Sequence, residues 1–134
     1  MTQNEKDILL KDLCARLPYG VKVQIKNEIV VLDSICDDDG YHFNFIGDDR
    51  EGVNIENIKP YLFPISSMTE EQKQEYTYIV NYISSDDTEN WKEGEFIYVE
   101  QFTQLMHFYH INHLDYMGLI PMGLANDATG LNIY

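Results

Sequence analysis

A single α+β domain, with an N-terminal helix and a small antiparallel β-meander packed against two C-terminal helices, is what this sequence predicts. Three features carry that reading. Apolar and polar residues alternate between Val21 and Ile46, apolar residues recur at helical spacing on either side of that stretch, and 134 residues suit one core. With 44% hydrophobic and 13% aromatic residues, the chain has the material to bury a core. Residues 1–68 hold the first helix, the meander and a proline-containing strap, and residues 69–134 are mainly helical.

From Lys6 to Leu17, Ile8, Leu9, Leu13 and Leu17 fall closer to a 3.6-residue than a 2-residue period, so a short amphipathic helix is expected. Asn4 suits its N-cap, Asp7 its first turn, and Pro18 its end. Val21, Val23 and Ile25 alternate with Lys22, Gln24 and Lys26, which gives a strand with one wet face. Asn27-Glu28 is short enough to turn a hairpin into the more continuously apolar run Ile29–Cys36. Asp39-Gly40 is the sharpest turn signal, and Tyr41, Phe43 and Phe45 alternate after it. Val53, Ile55 and Ile58 predict a fourth strand, and the curled meander resembles a small open barrel.

Lys59–Met68, with Pro60 and Pro64, reads as an extended strap packed by its aromatics. Thr69-Glu70-Glu71-Gln72 is a capping box, followed by the helical stripe Tyr76, Ile79, Val80 and Ile83. A polar loop from Ser84 to Gly94 precedes a brief extended entry and a helix over Val99–Asn112. Tyr116–Ala125 suits a broken helical turn, and the tail from Asn126 to Tyr134 is expected to be loosely held.

Charge excludes more than it assigns. Nine Lys+Arg against 23 Asp+Glu leave a formal net charge of −14, with the last cation at Lys92. Such a surface repels phosphate backbones, which their binding proteins neutralise with clustered cations, so direct nucleic-acid binding is not expected. No window approaches the roughly 18–20 apolar residues of a membrane span, and the start MTQNEKD lacks the order of a signal peptide, so a cytoplasmic protein with no membrane partner is expected. Cys14 and Cys36 form no CxxC pair and are expected reduced and at least half-buried.

His107, His110 and His113, with Asp115, form the one cluster of metal-ligand types. On a helix His113 lies about 240° around from His107, so only His110, His113 and Asp115, at a frayed end, can converge as a weak metal site. The competing reading is that the histidines cap the helix C-terminus as imidazolium, which its dipole favours. Around Asp37–Asp39, aligning Gly40 with the glycine of a calcium loop puts Ile35 at the first ligand, which favours a plain turn. No GxSxG or phosphate-binding glycine loop occurs, so no enzyme, no catalytic residue and no cofactor is expected. Among the 10 tyrosines, Tyr76 and Tyr109 sit on apolar stripes, whereas Tyr78 and Tyr82 fall off them and are the candidate partner-binding residues.

The stretch Lys59-Pro60-Tyr61-Leu62-Phe63-Pro64-Ile65-Ser66-Ser67-Met68-Thr69-Glu70-Glu71 resembles a phrase of uncharacterised small proteins of gut Bacteroidetes and their phages or prophages. Lys11–Lys22 resembles their opening, and His113–Ile120 with Gly123-Leu124-Ala125 their close. Where that pattern carries a basic residue, this chain has Phe63 and Met117. The resemblance implies a phage or mobile-element context and no particular chemistry. Together these readings give the expectation of an accessory protein acting on an unidentified protein partner, or on a second copy of itself, through an acidic, tyrosine-bearing surface. The alternatives are an acidic nucleic-acid mimic that inhibits a DNA-binding enzyme and, third, a metal-dependent hydrolase.

Overall fold

A computed structural model describes the backbone of residues 1–84 and 95–134, and the side chains of 1–81 and 100–134. Helix α1 (Gln3–Arg16) starts earlier than the spacing of apolar residues suggests. Its cap is Thr2, not Asn4: Thr2 Oγ1 accepts from the Glu5 amide at 3.1 Å and Glu5 Oε1 accepts from the Thr2 amide at 2.9 Å. This reciprocal pair satisfies two amides that otherwise lack partners, which is why the helix extends to it. Pro18 ends α1 as expected, in a single 3₁₀ turn whose C-cap Gly20 sits at φ 69°, a conformation that favours glycine.

Strands β1 (Lys22–Ile25), β2 (Glu28–Asp37) and β3 (Tyr41–Phe45) form the expected meander. Ile25 pairs with Glu28, so the hairpin turns on Lys26-Asn27, one residue before the expected Asn27-Glu28, with Lys26 at φ 55°. The fourth strand is displaced. Val53–Ile58 holds no strand, only a 3₁₀ turn over Ile55–Asn57, and it is the strap that supplies β4 (Lys59–Leu62), beside β1. Pro60 is tolerated there because a proline costs a strand only its amide, and β4 is short and near the sheet margin. The sheet is open, in the order β3-β2-β1-β4-β5, and β5 (Asn126–Asp127) runs parallel to β4.

Val21, Val23, Ile25, Leu32, Phe43, Phe45 and Leu62 cover one sheet face and pack with Leu9 and Leu13 of α1. The continuously apolar β2 does this through a register shift between Leu32 and Ser34, which lets Leu32 and Ile35 share the buried side. A second core forms where α2 (Glu70–Ser84) meets α3 (Glu95–Ile111): Ile79, Phe108 and Leu114 are buried, with Tyr76, Tyr109 and Phe63 packed against them. The Thr69–Gln72 capping box is present, with both of its hydrogen bonds. Backbone 95–99 is helical, so the extended entry to α3 is not there, and the loop placed at 85–94 lies outside the described residues. Cys14 and Cys36 are exposed rather than buried.

The C-terminal tail is docked, not loose. Asn126 and Asp127 pair with Tyr61 and Leu62, Ala128 is fully buried, and its amide donates to the Leu62 carbonyl at 2.8 Å. Tyr134 donates its hydroxyl to the Tyr61 carbonyl at 2.8 Å and accepts from the Lys22 amide at 2.8 Å, while Lys22 Nζ reaches the Ile133 carbonyl. Its ring stacks on His113 at 3.6 Å between centroids. Tyr134→Ala should therefore cost about 1–3 kcal/mol and Tyr134→Phe about 1 kcal/mol in urea unfolding. Equal stability of both variants and the parent chain would show the tail to be undocked.

Candidate functional site

The densest constellation of polar groups is buried where α1, the sheet and the end of α3 meet. Leu9, Asp12, Leu13 and Arg16 are the buried residues of α1, at the i, i+3, i+4, i+7 spacing of one helix face. Half of that buried stripe is thus charged. Arg16 is 0% exposed, and its Nε donates to Asp12 Oδ2 at 2.8 Å one turn back, while Nη2 donates to the Leu114 carbonyl at 2.7 Å. Burial pushes the Asp12 carboxyl up, partly countered by Arg16. Asp12 Oδ1, Arg16 Nη1 and His113 Nδ1 are buried without a hydrogen-bond partner.

Leu114 is presented by the way α3 stops. The Leu114 amide donates to the Tyr109 carbonyl at 2.9 Å and the His113 amide to the His110 carbonyl at 3.1 Å, with His113 at φ 53°. This is a Schellman ending with histidine where glycine is usual. The chain then lies along Phe63, whose amide donates to the His113 carbonyl and whose carbonyl accepts from the Asp115 amide, each at 2.8 Å.

Rings close around the guanidinium. Arg16 Cζ lies 5.2 Å over the Tyr116 ring, which stacks on Tyr109 at 4.9 Å and whose hydroxyl is 2.8 Å from His110 Nε2. Tyr19, placed by the turn after α1, packs against His107 and His110 at 5.5 and 5.4 Å, and its hydroxyl is 3.0 Å from His107 Nδ1. Burial, helped by the nearby Arg16, pushes both His110 and His113 down to about 4. The expectation that they sit at the helix end as imidazolium is thus overturned, because desolvation beside a fixed cation outweighs the attraction of the dipole. Burial likewise raises the Tyr134 phenol to about 12, and burial with a Tyr76 hydrogen bond raises Tyr109 to about 12.

His110, His113 and Asp115 lie close in the chain but answer to different neighbours. His110 meets Tyr116, and His113 lies on Tyr134. Asp115 accepts from the Leu119 amide through Oδ1 at 2.8 Å and from the Ile120 amide through Oδ2 at 2.9 Å, which caps the broken turn before Leu124. Among the described residues, no group of three or more His, Cys, Asp or Glu side chains is placed to hold a metal ion. With Arg16 sealed from solvent, the junction's evident role is to join the layers.

The partner-binding candidates lie elsewhere. Tyr78 is 70% exposed on α2, opposite the buried Ile79 side, over a shallow depression shared with Lys73, Gln74, Thr77 and Asn81. Glu71, Glu75 and Tyr78, spaced i, i+4 and i+7, make one exposed stripe. Tyr82 belongs to α2, but its side chain lies outside the described residues. Tyr76 and Tyr109 are packed in the second core, as their stripes predict. What sequence reasoning missed is Asp12–Arg16. The available signal was an opposite-charge i, i+4 pair in phase with Leu9 and Leu13.

No family model matches the chain, and no curated protein and no solved structure matches it.

Arg16→Met should destabilise by roughly 3–5 kcal/mol, since it strands the Asp12 carboxylate, and the double variant R16M/D12L should recover much of that loss. Chemical denaturation of the three chains checks this; an unrecovered loss would show the pair to be stabilising in itself. The pH dependence follows from the histidines. Unfolded, they titrate at 6.5, and folded at about 4, so their contribution is fully present above pH 6.5 and is lost as pH falls toward 4. Asp12, raised above 3.8, offsets part of this at the acid end. Stability should drop by about 2 kcal/mol or more between pH 7 and 4.5, and H110Q/H113N should flatten that slope.

Proposed function

We propose that this chain is a phage- or prophage-associated accessory protein of the cytoplasm that binds another protein through the acidic, tyrosine-bearing solvent face of α2. The carrying observation is Tyr78, 70% exposed and in line with Glu71 and Glu75. A large, rigid ring exposed on a helix face gives contact area at low entropic cost when covered, and interface centres favour such rings. The carboxylates would set which surfaces approach, favouring cationic ones.

Intramolecular pairing leaves that field uncancelled. Lys73 pairs with Glu70 at 3.2 Å, Lys6 with Glu56 at 2.7 Å, and Arg50 with both Asp48 and Glu28. No helix among the described residues is long and apolar enough to cross a membrane. The phage setting rests on the resemblance of Lys59–Glu71 and of the two flanking stretches.

A photo-crosslinking residue at position 78 tests the reading in host extract. Expected is one dominant protein adduct that an excess of unlabelled chain suppresses and an excess of Tyr78→Ala does not, with the melting temperature of Tyr78→Ala within about 2 °C of the parent. Equal competition by both chains, or no adduct, would sink the proposal. Salt-sensitive capture of nucleic-acid enzymes through carboxylates, indifferent to Tyr78, would favour mimicry instead.

A further inference from the structure

The free edge of β3 is the second surface that an incoming chain can complete. Two hydrogen bonds fix which way its backbone points: the Ile46 amide donates to the Val31 carbonyl at 2.9 Å, and the Gly40 carbonyl accepts from the Asp38 amide at 3.0 Å. Even-numbered residues therefore face β2, and Tyr41, Phe43 and Phe45 direct their amides and carbonyls outward. Phe45 is answered, since its carbonyl accepts from the Asp48 amide at 3.4 Å where the chain doubles back. Beyond that single bridge the returning strand peels away. Tyr41 and Phe43 have no backbone partner on this edge among the described residues. The Phe43 ring is anchored in the hydrophobic core, which holds the strand in place while its outward amide and carbonyl border the hollow beside β3.

The gap left by the peeled segment is a groove. Two adjoining hollows of about 350 and 340 Å³ run between β3 and residues 51–55, walled on one side by Tyr41 and Phe43 and on the other by Val53 and Ile55. An extended chain added to the edge of β3 would lie about 4.8 Å from it, on the side these hollows occupy. Its flanks are acidic. Glu51 lines it, Asp37, Asp38 and Asp39 stand exposed at the start of β3, and Asp49 is exposed at the opposite end. The nearest guanidinium, Arg50, is committed to Asp48 and Glu28 and offsets none of these.

We infer that the free edge of β3 is a strand-docking site for an extended segment of a partner protein in which lysine or arginine alternates with apolar residues. Main-chain hydrogen bonds to Tyr41 and Phe43 supply the pairing, and apolar side chains lie against Tyr41, Val53 and Ile55. Cationic ones meet Glu51 and the Asp37–Asp39 turn. Edge addition of this kind takes its affinity from backbone bonds and its selectivity from alternate side chains. The surface is separate from Tyr78, so either can exist without the other.

The probe is a short alternating lysine–valine peptide, with a glutamate–valine peptide as its counterpart, added to the full chain and followed by amide hydrogen exchange and NMR shifts. Expected are unprotected Tyr41 and Phe43 amides in the free chain, protection of both on adding the lysine–valine peptide, and at least about tenfold weaker binding of the glutamate–valine peptide. Tyr41→Pro removes an outward donor at the first residue of the strand and should abolish protection at Phe43; should it unfold the chain, Glu51→Lys with Asp38→Lys serves, with an expected loss of about tenfold for the lysine–valine peptide. The inference is overturned if the two amides are protected in the free chain, if both peptides bind equally, if shifts appear only around Tyr78, or if β3 pairs with a second copy of the chain.

Discussion

A guanidinium with no access to water is the constraint on which this fold turns. Arg16 is carried inward by the same helix face that buries Leu9 and Leu13, so α1 cannot pack on the sheet without taking the charge with it. Desolvation of a cation is tolerable only when it is paired and hydrogen-bonded. Asp12 provides the counter-charge one turn away, and the Leu114 carbonyl provides an acceptor from 98 residues further along. That second bond makes the first helix and the end of α3 interdependent. Such a pair is a weak source of stability compared with apolar packing, but it specifies one arrangement, because any other docking leaves a naked charge.

The surroundings of Arg16 follow from it. Histidines close to a buried cation stay neutral, so His110 and His113 act as aromatic packing with hydrogen-bonding edges rather than as charged caps. Tyr116 offers the guanidinium its ring face and His110 its hydroxyl. His113 adopts the left-handed conformation that lets the chain leave α3 and run beside Phe63, which delivers the Leu114 carbonyl to Arg16 and the Asp115 carboxylate to the following turn. Tyr134 then lies over His113 and ties the tail to β1 and β4. The two hydrophobic clusters, one under α1 and one between α2 and α3, are stitched at this polar seam.

Outside, the balance is reversed. The cations Lys6, Arg50 and Lys73 answer nearby carboxylates and Arg16 is sequestered, and with a net charge of −14 the exterior is acidic. That acidic exterior also carries the exposed Tyr78 ring and the outer edge of β3. A partner bound as proposed, on the helical stripe of α2 or on the backbone edge of β3, would leave the sealed junction undisturbed.

The amino-acid order alone determined the α+β class, the Thr69–Gln72 cap, the hairpins of the meander, the packed Tyr76 and Tyr109 and the exposed Tyr78. Each of these depends on local periodicity or on turn chemistry between near neighbours in the chain. Tertiary structure decided what local patterns cannot express. Lys59–Leu62 became a strand by pairing with β1, while Val53–Ile58, with better strand residues, pairs with no strand among the described residues and turns through a 3₁₀ helix instead. The tail became ordered because Tyr61 and Lys22 offered partners from the far side of the sequence. The surroundings of His110, His113 and Asp115 were likewise decided by packing. Arg16, Tyr116 and Tyr134 set the local dielectric and the available hydrogen bonds, and those depend on what folds against a residue rather than on what adjoins it.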